Sequence, residues 1–237
     1  VIAKASGTIN EINIQQLRLH LTRNITHFVG QNLWFFALNA ITLAQLFAFE
    51  FSVPVWVALF APFFLSEKLT FKRFMAASIG FIGILIVARP DEIGLTPGIL
   101  AAALCAICFT GTGIATKLLT RKQSITCILF WLTMMQTIFG TICAGYDFQI
   151  TVPSKSTLPW VVVIGFAGLT AHFCITRALQ LADAMVVYPM DFVRLPIATT
   201  IGVLFFDEPI QIFVFIGAII ILGANFLNIM SSRNTQT

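Results

Sequence analysis

The chain is 237 residues long, 58% hydrophobic and only 10% charged, with 24 Phe and a formal net charge of +4. A soluble globular domain carries about 25% charged residues, and a disordered chain combines high charge with low hydrophobicity. Both classes are excluded, so the chain is read against a lipid bilayer, where charge speaks through its position relative to the spans and not through attraction to nucleic acid.

In chain order, the uncharged runs predict eight spans: 21–38, 43–65, 69–88, 97–117, 124–145, 158–179, 184–206 and 210–230. A tight turn near Asn39 to Thr42 is needed between the first two, because the run is too long for one helix. Thr96-Pro97-Gly98 suits a helix start, with Thr as cap and Pro in the first turn. Under this layout Lys4, Arg18, Arg23, Lys68, Lys72, Arg73, Lys117, Arg121, Lys122, Arg177 and Arg233 fall on one side, and only Arg89 and Lys155 on the other. The positive-inside rule makes the crowded side cytoplasmic, with the C-terminus on it. The five cysteines, Cys105, Cys108, Cys127, Cys143 and Cys174, all lie in apolar stretches and are expected as small packing residues. No disulfide framework, metal or cofactor is expected of them.

A shift of 141 residues aligns polar landmarks without a gap: Ala37-Leu38 falls on Ala178-Leu179, Glu50 on Asp191, Phe51 on Phe192 and Glu67 on Glu208. Five spans separate equivalent points, and an odd number turns the second copy upside down, the inverted repeat of secondary transporters. The second copy has two helices before Ala178-Leu179 whose counterparts would fall before residue 5. The chain is therefore expected to lack two spans, with Val1 to Gln16 as the end of a missing span and a cytoplasmic loop.

The segments Phe35-Phe36-Ala37-Leu38, Leu43-Ala44-Gln45, Pro54, Phe64-Leu65-Ser66-Glu67-Lys68-Leu69 and Gly80-Phe81-Ile82-Gly83 resemble the EamA repeat of the drug/metabolite transporter superfamily. The second copy, Thr176-Arg177-Ala178-Leu179, Ala182-Asp183-Ala184, Tyr188 to Pro196 and Phe205-Phe206-Asp207-Glu208-Pro209, is similar to the branch containing S-adenosylmethionine uptake carriers. Two departures stand out: Ser66 and Asp207 replace the Gly usual before each repeat's Glu, and the first two of ten helices are absent. The resemblance implies an all-α polytopic membrane protein, eight helices of a 5+5 inverted-repeat carrier, with residues 1–90 as a shortened first repeat and 91–237 as the second.

Ionisable groups within a bilayer cost several kcal/mol and need a reason. Glu50, Asp191 and Arg194 stand out, the two acids near the middle of their spans, where such carriers bind solute. They are expected either to bind a cationic group or coupling proton, or, for Asp191 and Arg194 three residues apart, to neutralise each other. Pro54, Pro189 and Pro196 are expected to kink both acid-bearing helices beside the acid. Gln31 and His172, paired by the same shift, are candidates for a polar shell facing the cavity, and Trp34, Trp56 and Trp131 for stacking on a planar solute. Trp160 reads as an interface anchor, and Glu67 and Glu208 as acceptors fixing helix junctions.

The reading is a permease moving a small organic metabolite, such as S-adenosylmethionine, across the bacterial inner membrane by alternating access. An exporter of amino acids or drugs and a non-transporting scaffold are the alternatives. An intramembrane enzyme is disfavoured, since no H-E-x-x-H or G-x-S-x-G occurs, and so is a channel, which would show a ring of filter residues. The expected partners are a small-molecule solute and lipid, without nucleic acid; a homodimer is left open.

Overall fold

The computed structural model describes residues 4, 7–67, 70–88, 95–150, 152–205 and 212–233, and among these all regular structure is helical. The helices are α1 (Leu17–Leu38), α2 (Leu43–Glu50), α3 (Val53–Phe64), α4 (Phe71–Ala88), α5 (Pro97–Thr120), α6 (Ile125–Ala144), α7 (Leu158–Leu181), α8 (Ala184–Val187), α9 (Arg194–Phe205) and α10 (Ile212–Arg233). A 3-10 turn over Tyr188–Val193 joins α8 to α9. The expectations placed on Lys68, Arg89, Asp207 and Glu208 lie outside the described residues.

Four stretches, Gln45–Phe64, Pro97–Thr120, Ile125–Ala144 and Leu158–Leu181, are long and apolar enough to cross a bilayer, and α4 and α10 carry shorter apolar pieces, Phe74–Gly83 and Phe215–Ala224. The chain is a multi-pass membrane protein. α1, which carries Arg18, His20, Arg23, Asn24 and His27, is not among the four. α7 exposes Val161, Val162, Val163, Ile164 and Phe166 along its outer surface, a composition that lipid tails solvate as readily as a core would.

The first N–H groups of a helix have no partner within it, and at three starts a side chain supplies one. Thr42 starts α2 with a capping box: its hydroxyl accepts from the Gln45 N–H at 3.3 Å, and its own N–H donates to Gln45 Oε1 at 3.2 Å. The Thr96 hydroxyl caps α5 by accepting from the Ile99 N–H, with Pro97 following as expected, and Ser124 caps α6 through the Cys127 N–H.

The spans expected over 43–65 and 184–206 are each divided in two. In the first, Glu50 ends α2, and Phe51 and Ser52 form a turn in which the Ser52 hydroxyl donates to the Phe49 carbonyl at 2.6 Å and accepts from Trp56 Nε1 at 3.0 Å. Pro54, unable to donate, sits where a starting helix tolerates it. In the second, Asp191 lies within the 3-10 turn and Arg194 opens α9. The starts of α1, α2, α3 and α4, at Leu17, Leu43, Val53 and Phe71, are each followed 141 residues later by those of α7, α8, α9 and α10, at Leu158, Ala184, Arg194 and Ile212.

Small residues allow the closest packing. A Cβ on Gly80 would stand 3.7 Å from the Ala224 Cβ, and one on Gly83 would stand 2.8 Å from Ile221, so α4 and α10 approach almost backbone to backbone. The largest buried cluster gathers Val57, Ala61 and Leu65 with Ala106, Ile114, Leu179, Ala184 and Met185. Beside it three charged residues fix helix ends. Glu67 accepts from the Ala184 and Met185 N–H groups at 3.1 and 3.3 Å, capping α8. Lys117 donates to the Leu179 and Ala182 carbonyls at 2.8 and 2.7 Å, at the end of α7. Arg121 donates to the Leu65 carbonyl at 2.5 Å, just past α3. Lys117 and Arg121 thus sit where the carbonyls at helix C-termini favour a cation. All five cysteines are free, with Cys105 and Cys127 buried.

Gly113 faces the Tyr188 ring so closely that any Cβ there would overlap the hydroxyl, whereas a Cβ on Gly140 would meet nothing within 4 Å. Gly113→Ala is expected to lose about 1–3 kcal/mol through overpacking. Gly140→Ala should be neutral or stabilising by up to ~1 kcal/mol. Thermal unfolding in detergent reads both, and equal behaviour of the two variants would contradict the contact.

Candidate substrate site

Two polar clusters stand out among the described residues. The first joins the two broken helices. Glu50, at the end of α2 and with 13% of its side chain exposed, takes one hydrogen bond on each oxygen: from Trp34 Nε1 of α1 at 2.8 Å and from Arg194 Nη2 of α9 at 2.7 Å. Arg194 also pairs with Asp191, and its guanidinium carbon stands 5.7 Å from the centre of the Phe51 ring. The Arg194 and Asp191 side chains are 47% and 42% exposed, so one side of this cluster is open.

Of the two alternatives posed for these residues, pairing is the one the geometry contains. Asp191 and Arg194 do pair within one helix turn, but Arg194 is shared with Glu50 across 144 residues of sequence. With both acids ionised, two carboxylates face one guanidinium and the cluster keeps one negative charge. A cation entering from the open side would find carboxylate oxygens already positioned, with aromatic faces from Phe51 and Trp34 beside them. Gln31, one turn before Trp34 on α1, points to the exposed surface and joins neither cluster. The other indoles have local partners: Trp56 bonds Ser52, and Trp131 donates to the Asn13 carbonyl at 2.9 Å. Trp160 lies exposed at the start of α7, in keeping with an interface position.

The second cluster joins His172, expected in a polar shell, to residues of α1 for which the sequence layout has no such role. Its centre is Arg23, two turns into α1 and 1% exposed, which the sequence layout had assigned to the cytoplasmic edge. Arg23 Nε donates to Thr116 Oγ1 of α5 at 3.1 Å, Nη1 donates to Asn24 Oδ1 at 3.0 Å, and Nη2 lies 3.5 Å from His172 Nδ1 of α7. The His27 and His172 rings meet edge-on at 4.7 Å, and His20 packs against Trp131 at 6.1 Å. All three histidines of the chain are therefore collected here. The sequence does carry a signal: His20, Arg23, Asn24 and His27 follow i, i+3, i+4, i+7 spacing, a polar stripe down one face of a helix.

The sequence matches the EamA-like transporter family over residues 2–89 and again over 96–230. The chain belongs to that family. This EamA-like transporter is thus a member of the drug/metabolite transporter superfamily. It is similar to the S-adenosylmethionine uptake transporter of Rickettsia bellii, 25% identical over 228 residues covering 96% of this chain and 78% of that protein. It is also similar to the riboflavin transporter of Brucella anthropi, 31% identical over 222 residues covering 92% of this chain and 78% of the relative. A solved crystal structure matches 100% of this chain and 84% of its own at a TM-score of 0.76 and 18% identity, a likeness of fold alone. The relatives are named transporters and not enzymes, in keeping with a multi-pass protein that handles a small solute.

Proposed function

We propose that the protein is a permease that moves a small organic cation or zwitterion across the bacterial inner membrane by alternating access, with its C-terminus in the cytoplasm. Glu50, Asp191 and Arg194 form the solute site, with Trp34 holding Glu50 and His172 in the polar lining; Gln31 is left with at most a peripheral part. The observation that carries this reading is the shared Arg194, which ties acids from two separately broken helices into one centre. Broken helices around a central site are what alternating-access carriers use to offer charge and free backbone to a solute.

In this reading residues 1–90 and 91–237 are two inverted copies of one unit, the first seen through its last three helices. The common offset of the helix starts supports it. So does the α4–α10 contact, because it is reciprocal. The offset pairs Gly80 with Ile221 and Gly83 with Ala224, yet Gly80 touches Ala224 and Gly83 touches Ile221. Such exchanged contacts belong to a two-fold axis. They also make the two helices run antiparallel, as equivalent helices of inverted copies must.

The solutes named for the relatives give the test. Vesicles containing the protein and preloaded with one unlabelled solute should accumulate the same labelled solute when S-adenosylmethionine, riboflavin and the twenty common amino acids are screened in turn. Saturable counterflow of one class supports the carrier, and import is the direction expected from the relatives' names. Linear, unsaturable flux would indicate a pore, and no flux with any solute would leave the scaffold reading.

A further inference from the structure

The mechanism above uses Arg194 as the guanidinium of the acid pair, which leaves it no capacity to neutralise a third anion. Arg23 is in the opposite situation. It is 1% exposed and meets Thr116, Asn24 and His172, and among the described residues no carboxylate pairs with it. A buried guanidinium is rarely left without an anion, because its desolvation is offset only by a charge of opposite sign or a full set of acceptors. Its acceptors here are one hydroxyl, one amide oxygen and one long contact to an imidazole. Two further groups on the same helices are also buried without a hydrogen-bond partner: the Thr176 hydroxyl, one turn beyond His172, and both ring nitrogens of His20, one turn before Arg23.

The two clusters are neighbours. Tyr188 lies in the same 3-10 turn as Asp191, and its ring packs against Gly113 of α5, one turn before the Thr116 that Arg23 bonds. Gly113 clears the space its hydroxyl occupies. With both acids ionised, one cluster carries an excess negative charge and the other a positive charge with no carboxylate partner among the described residues, a matched pair of poles for a zwitterion.

Resting on the carrier reading above, we infer that Arg23 receives the carboxylate of the transported solute while the Glu50–Asp191 pair takes its cationic group. Arg is suited to this because its planar fork meets a carboxylate with two parallel hydrogen bonds. Thr116 and His172 position the fork. In the present conformation the cluster is closed, so the carboxylate reaches it as the helices around it part.

The test compares S-adenosylmethionine with its decarboxylated form as competitors in the counterflow assay, alongside the amino acids and riboflavin. The wild-type protein should prefer the carboxylate-bearing molecule by at least about tenfold, which is ~1.4 kcal/mol. Arg23→Gln should abolish that preference, lowering apparent affinity for S-adenosylmethionine to that of the decarboxylated form and leaving the latter unchanged. Arg23→Lys, which keeps the charge without the fork, should fall between them and serves if the Gln variant does not fold. Equal competition by the two molecules in wild type, or uptake of riboflavin with no carboxylate-bearing solute carried, would overturn the inference. The outcomes separate from those for the acid pair: a carboxylate preference that persists while Glu50 and Asp191 variants transport normally would retain Arg23 and remove the acids.

Discussion

Glu50→Gln is expected to reduce uptake by about 10- to 100-fold while the protein still folds. Removing this charge takes the cluster from one excess negative charge to none, and deletes a carboxylate oxygen that Arg194 holds at 2.7 Å. A hydrogen bond to a charged group is worth roughly 1.5–3 kcal/mol, and about 1.4 kcal/mol is tenfold. The amide keeps the shape and one acceptor for the Trp34 N–H, so thermal unfolding should shift little. Asp191→Asn should behave in the same way, with a somewhat smaller effect because its side chain is 42% exposed against 13% for Glu50. The measurement is initial uptake at several solute concentrations, with protein quantified in the membrane. Normal uptake by both variants would reject the site.

Glu67→Ala should cost roughly 2–5 kcal/mol of stability, the penalty for removing the carboxylate that accepts from the buried Ala184 and Met185 N–H groups. A thiol-reactive dye suits the measurement once Cys108, Cys143 and Cys174, which are exposed or half-buried, are replaced, since Cys105 and Cys127 are buried until the bundle opens. Glu67→Gln adds a pH signature. Burial pushes the Glu67 carboxyl above its ordinary value of 4.5, and the two N–H groups and Lys117 pull it back only in part. A group whose pKa is raised in the folded state contributes most when protonated, below that ordinary value, and less as pH climbs through the raised one. The stability difference between wild type and Glu67→Gln should therefore move in the Gln variant's favour as pH rises. A pH-independent difference would mean that Glu67 does not titrate with folding.

How far the site could be read from sequence depended on how conspicuous each residue is against its span. Glu50, Asp191 and Arg194 were visible because charge in an apolar run has few uses, and the prolines beside them foretold breaks in the helices. The bond from Trp34 to Glu50 was not legible, since it depends on the Asn39 to Thr42 turn folding α1 back along α2. Gln31 shows the limit of the repeat alignment: matching positions do not guarantee matching rotation about the helix axis, and its counterpart His172 faces inward while Gln31 faces out. Arg23 departs from its expected place at the cytoplasmic edge for a physical reason. Near a span end, a basic residue that snorkels and one that is enclosed by α5 and α7 look identical in one dimension. Glu67 was correctly expected to fix a junction, but the helix it caps is α8, 117 residues away, and not the one that follows it.

The hydrogen bond between the Trp34 indole and Glu50 also gives the protein a built-in optical signal. An indole emits at an energy set by the charges around it, and of the indole nitrogens whose bonds are described, only that of Trp34 donates to a carboxylate. When a solute cation draws on that carboxylate, the field at the ring changes with it. Occupancy of the acid pair can then be followed by the emission colour of one native residue, with Trp34→Phe as the blank and no label attached.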